Sequence, residues 1–74
     1  MDSLSGFVEK IKYRNEENGY AILSVESGGE DYVLVGTFPM ISEGEYITAE
    51  GHFQLHPTYG EQLAVETYEI KTPE

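Results

Sequence analysis

The chain has 74 residues, no cysteine and a net charge of -10, with 14 Asp and Glu against 4 Lys and Arg. That length allows one small domain, which buries only roughly 60% of the surface its unfolded form exposes. The composition excludes disulfides and thiolate metal sites, and no run approaches the roughly 20 apolar residues of a membrane helix.

Five runs rich in Val, Ile, Tyr and Thr, separated by Gly, Asn and Pro at short spacing, predict a small all-β domain. The first spans Ser5 to Arg14. Val8 and Ile11 cannot both face inward on an unbroken period of two, so a bulge is expected near Glu9-Lys10. The chain then turns at Asn18-Gly19, residues that accept positive φ at low steric cost. In the second run, Tyr20 to Glu26, Ala21, Leu23 and Val25 are expected inside and Tyr20, Ile22 and Ser24 outside.

Ser27-Gly28-Gly29-Glu30 reads as a hairpin turn. The third run, Asp31 to Thr37, is expected to point Val33 and Val35 inward and Tyr32 and Leu34 outward. Pro39 ends it, because proline cannot donate to a ladder. No stretch has a 3.6-residue period, and Met40-Ile41-Ser42-Glu43 alone is compatible with a single helical turn. The fourth run, Glu45 to Leu55, alternates with Ile47, Ala49, Gly51 and Phe53 inside. Gly51 marks a sharp bend or a close backbone approach. After the loop His56-Pro57-Thr58-Tyr59-Gly60, the fifth run extends from Glu61 to Lys71, with Leu63 and Val65 inside and a register change before Tyr68 and Ile70.

Two register slips and a glycine amid a strand suit closure, which also removes exposed edges. The expected architecture is a small five-stranded OB-like closed barrel with short loops and no substantial helix, over residues 5-71. Residues 1-4 are expected to form a disordered tail, and residues 72-74 to begin a linker. The short connection from Phe38 to Gly44 stands against an OB-fold, which commonly carries a helix there.

Three of the four basic residues, Lys10, Lys12 and Arg14, lie at every second position of the first run. On an unbroken strand they project from one face, in reach of a phosphate backbone. The opposing interpretation is cross-strand pairing with carboxylates, which contributes only about 0.2–1 kcal/mol per pair. A charge of -10 argues against nucleic-acid binding by the whole surface, but fields decay over about 8 Å at physiological ionic strength, so a local strip still acts locally.

Tyr13, Tyr20, Tyr32, Tyr46 and Tyr59 are expected to be exposed, and bases stack on such rings. OB-folds generally bind through strands 2 and 3 and the loops joining strands 1–2 and 4–5. Lys10, Lys12, Arg14, Asn15, Tyr20, Tyr32, His56 and Tyr59 are therefore the candidate nucleic-acid-binding residues. Glu16-Glu17 reads as a solvated turn, not a catalytic acid pair. His52 and His56 stand about 13 Å apart on an extended strand, too far to share a metal ion. No catalytic or metal site is expected.

Three segments carry a resemblance: Tyr13-Arg14-Asn15-Glu16-Glu17-Asn18-Gly19-Tyr20, Val35-Gly36-Thr37 with Glu43-Gly44-Glu45, and Tyr59-Gly60-Glu61-Gln62-Leu63. Together they resemble the N-terminal OB-like domain of RecD/TraA-type ATP-dependent DNA helicases, related to the exodeoxyribonuclease V alpha subunit. The likeness runs from Gly6 to Ile70. It implies a cytoplasmic parent enzyme that unwinds duplex DNA in recombination and repair, using ATP and magnesium. Phosphate-binding loops would lie downstream, because none of the glycines here is followed by the lysine that such a loop needs. The chain is thus expected to be a non-enzymatic piece of a larger protein that needs no cofactor of its own.

Two functions follow from the resemblance and the charge. One is guidance of single-stranded DNA, bound weakly. The other is an acidic protein-interaction or intramolecular docking module that regulates the motor without touching DNA. The expected partners are single-stranded DNA and the downstream helicase domains. No membrane partner is expected, and the isolated domain should be a monomer.

Overall fold

A computed structural model describes residues 1–58 and 60–71. Five strands form one closed barrel in the order β1-β2-β3-β5-β4: β1 (Asp2–Arg14), β2 (Tyr20–Ser27), β3 (Glu30–Thr37), β4 (Tyr46–His56) and β5 (Gly60–Lys71). Neighbours pair antiparallel except β3 and β5, which run parallel through Leu34↔Leu63 and Val35↔Ala64. The barrel is the expected OB-like architecture.

Its first strand starts earlier than expected. Asp2 to Leu4, read from sequence as part of a tail, pair with Gly51 to Ala49 on β4 and close the sheet. The expected linker at 72-74 lies outside the described residues.

β1 serves two neighbours in succession, β4 through Asp2–Phe7 and β2 through Phe7–Arg14. At the changeover Gly6 lies so close to β2 that a Cβ would collide with the Glu26 carbonyl oxygen. The expected bulge at Glu9 is present, as a register shift between Val8 and Lys10. Gly51 likewise sits where a Cβ would strike the Ala64 carbonyl. Beside it β4 and β5 shift register between Glu50 and Gly51, leaving Glu66 as an extra residue on β5 before Tyr68 and Ile70.

The core contains Val8, Ala21, Leu23, Val25, Leu34, Phe38, Ile41, Ile47, Ala49 and Leu63, all essentially inaccessible to solvent. Two of these come from the β3–β4 connection, which forms turns and no helix. Phe38 and Ile41 insert into the barrel, and the Phe38 ring meets Tyr68 edge-on at 4.9 Å. The connection is pinned by backbone hydrogen bonds from Phe38 N to Gly19 O, from Gly44 N to Val8 O and from Val8 N to Glu45 O. Two buried side chains thus fill the space that a helix commonly fills in this fold, and a short connection suffices.

β3 reverses its expected faces from Tyr32 to Leu34. Gly28 and Gly29 both have positive φ, giving a two-residue turn that pairs Ser27 with Glu30. That turn sets Leu23 opposite Leu34 and Val25 opposite Tyr32. Leu34 therefore enters the core, Tyr32 packs against it and Val33 falls on the opposite side, whereas Val35 is buried as expected, only 7% exposed. Phe53 is also more exposed than expected, because β4 continues beyond the start of β1.

Candidate nucleic-acid interface

The three cations of β1 do not share one face. A second register shift, between Ile11 and Tyr13, interrupts the alternation. Lys10 lies opposite Ser24 on the outer wall, and Lys12 is the extra residue of the bulge. Arg14 falls opposite Ala21, in register with the interior, and its guanidinium donates to the backbone carbonyl of Ile41. Arg14 thus ties β1 to the buried connection. None of the three is neutralised by cross-strand pairing: among the described residues the one ion pair joins His52 Nε2 to Glu66 Oε2 at 2.9 Å.

The second bulge turns Tyr13 outward, opposite Ile22. A row in register with Tyr13 then crosses the whole sheet through Ile22, Val35, Ala64 and His52, with Val35 buried at its centre. Beside it lies a row with Lys10, Ser24 and Val33. Lys12, Tyr13, Ile22, Val33 and Gln62 line a shallow groove of about 220 Å³ on this wall. The Tyr20 ring lies 6.4 Å from that of Tyr13, tilted by 59°. On the β4–β5 hairpin His52, Gln54 and His56 alternate onto the same side as Gln62 and Ala64.

The strip so formed presents lysine, tyrosine, aliphatic and amide groups and no carboxylate within its rows. Carboxylates border it, at Glu26 and Asp31 beyond Ser24 and Val33, and at Glu66 beside His52. A chain of charge -10 therefore keeps the rows of this strip free of acids. Apolar and aromatic faces flanked by ammonium groups suit a nucleobase with its phosphate.

The remaining sequence candidates divide. Tyr20 is on the strip. Asn15 supports the β1–β2 turn: its Oδ1 accepts from Glu17 N at 2.9 Å, and its backbone N–H donates to Tyr20 O at 2.8 Å. Tyr32, expected outside, lies in register with the core, and its hydroxyl donates to Glu30 Oε2 at 2.9 Å. That hydrogen bond and the Glu30 charge raise the Tyr32 pKa above the ordinary tyrosine range. His56 shares the side of His52 and accepts from Thr58 N at 3.0 Å through Nδ1. Tyr46 is on another part of the wall, and Tyr59 lies outside the described residues.

Sequence reasoning did not single out Ile22, Val33 and Gln62, which line the groove. Ile22 was expected outside but given no role, and Val33 was assigned to the core. Gln62 stood in a segment that carries the resemblance but was given no binding role; it is the one buried polar residue among those described. Also among the described residues, no group of three or more His, Asp or Glu is placed to hold a metal ion, and no helix is long and apolar enough to cross a membrane.

No curated protein and no solved structure matches the chain. A family model does, described as the OB-fold domain of the ATP-dependent DNA helicase YrrC, over residues 1–73. The barrel with its parallel β3–β5 closure agrees with that model, and the match spans nearly every residue. The chain therefore belongs to the OB-fold domain family of YrrC-type ATP-dependent DNA helicases.

Proposed function

We propose that this domain guides single-stranded DNA for the motor of a RecD-like helicase that acts in recombination and repair in the cytoplasm. The motor's ATP and magnesium are bound by other parts of that parent protein. Bases stack on Tyr13 and Tyr20 and lie over Ile22 and Val33, while Lys10 and Lys12 hold the backbone without reading sequence. The observation that carries this reading is the acid-free outer strip on a strongly acidic chain.

Two lysines give a weak grip. For single strands the salt slope is about -0.7 per neutralised phosphate, so the expected slope is roughly -1.4. The test is fluorescence anisotropy of a labelled oligothymidylate titrated with the chain at low salt. Tyr13→Ala is expected to weaken binding by about 1–3 kcal/mol, the contribution of one stacked base. Equal affinity of the wild type and Tyr13→Ala, or no binding at millimolar chain, would end this reading.

A further inference from the structure

A second row crosses the barrel through Asp31, Glu26, Phe7, Tyr46 and Lys71. Phe7 is 49% exposed at its centre, and Tyr46 meets it edge-on, with ring centroids 5.0 Å apart and planes at 75°. On the other side of Phe7 stand Glu26 and Asp31, joined by Glu9 from the first bulge of β1. Among the described residues, none of these three carboxylates has an ion-pair partner.

We propose that this row is a docking surface for a basic protein segment, with an arginine guanidinium stacked on Phe7 and hydrogen-bonded to the Glu9, Glu26 and Asp31 carboxylates. The proposal does not depend on DNA binding. The Phe7 ring lies outside the core, and beyond its edge contact with Tyr46 half of its surface stays open to solvent. Its π face attracts a cation, and the acids beside it supply the counter-charge.

Arginine fits better than lysine, since its planar group stacks on a ring and offers several donors to carboxylates at once. The crowding of the acids supports the same partner. A hydrogen bond with Asp31, aided by repulsion from Asp31 and Glu26, raises the Glu9 carboxyl above its ordinary range. An arriving guanidinium relieves that repulsion. Nucleic acid is a poor occupant here, because a phosphate backbone meets three like charges.

The test is a nuclear magnetic resonance titration of the isotope-labelled chain with a capped hexapeptide of alternating arginine and leucine. Its lysine counterpart is the control. Shifts are expected at Phe7, Glu9, Glu26, Asp31 and Tyr46, with the arginine peptide bound more tightly. Phe7→Ala is expected to weaken it by roughly five- to tenfold. Glu26→Gln with Asp31→Asn, which leaves the ring in place, is expected to weaken it at least as much. Each variant's spectrum reports whether the barrel is intact. Shifts spread over acids all around the barrel, equal binding of both peptides, or indifference to both variants would overturn the proposal.

Discussion

Two rows of one barrel wall, separated by a few residues along each strand, carry opposite chemistry. The row from Tyr13 to His52 has no carboxylate, whereas the row from Asp31 to Lys71 holds Glu26 and Asp31, with Glu9 beside them. Both expose aromatic rings. The difference shows that a net charge of -10 describes neither surface, because screening over about 8 Å lets adjacent patches act separately.

Both rows require a closed barrel, so the largest effect should come from opening it. Gly51→Ala drives a methyl group into the Ala64 carbonyl, which β3 and β4 hold in place. A loss of about 2 kcal/mol or more is expected, a large part of the roughly 4–11 kcal/mol typical of such a domain. Denaturant unfolding measures it, and an unchanged midpoint would contradict closure at this corner.

Val33→Glu erases the contrast by planting an acid in the groove. Like charges about 4 Å apart near a surface repel by several kcal/mol, so oligothymidylate affinity should fall at least tenfold. Peptide binding at Phe7 should not weaken, because Val33 is not in that row and an added acid beside Asp31 does not repel a cation.

Lys12 and Arg14 separate binding from structure. Lys12→Ala should reduce the salt slope of DNA binding by about 0.7 with little change in stability. Arg14→Ala should leave the slope alone and lower stability by about 1.5–3 kcal/mol, because the Ile41 carbonyl loses a charged donor. The reverse pattern would mean that Arg14, not Lys12, meets phosphate.

The smallest expected effect concerns the acidic row. Glu9 has its pKa raised above the ordinary 4.5, chiefly by the hydrogen bond with Asp31. Its protonated form is therefore favoured in the folded state. The stability this contributes is full below pH 4.5 and is lost as pH rises through the raised value. Glu9→Gln keeps a donor toward Asp31 without the charge. Its melting temperature should exceed that of the wild type at pH 7, with the gap closing below pH 4.5. A gap that does not change with pH would contradict the coupling.

Much of the barrel was legible because apolar alternation and glycine placement have few solutions. Val8 and Ile11 demanded the bulge at Glu9, and Gly51 announced a close approach. The bulge at Lys12 left no such trace. Its inward position beyond Ile11 is taken by Arg14, whose long stem reaches the barrel's end while its charge binds a carbonyl. With Tyr32, Val33, Leu34 and Val35 in succession, alternation gives β3 no direction; only the two-residue Gly28-Gly29 turn decides it. Phe38 and Ile41 were not read as core, Ile41 being placed in a helical turn, because the space they fill exists only once the sheet has closed. The candidate interface depended on these less legible features, and its composition was harder to anticipate than the fold.

The most direct test maps oligothymidylate onto the isotope-labelled chain by chemical shift at low salt. Changes are predicted at Tyr13, Tyr20, Ile22, Val33 and Gln62, with Phe7, Glu26 and Tyr46 silent. Changes centred on Phe7 and Tyr46, or none at millimolar DNA, would contradict the assignment of the acid-free strip to nucleic acid.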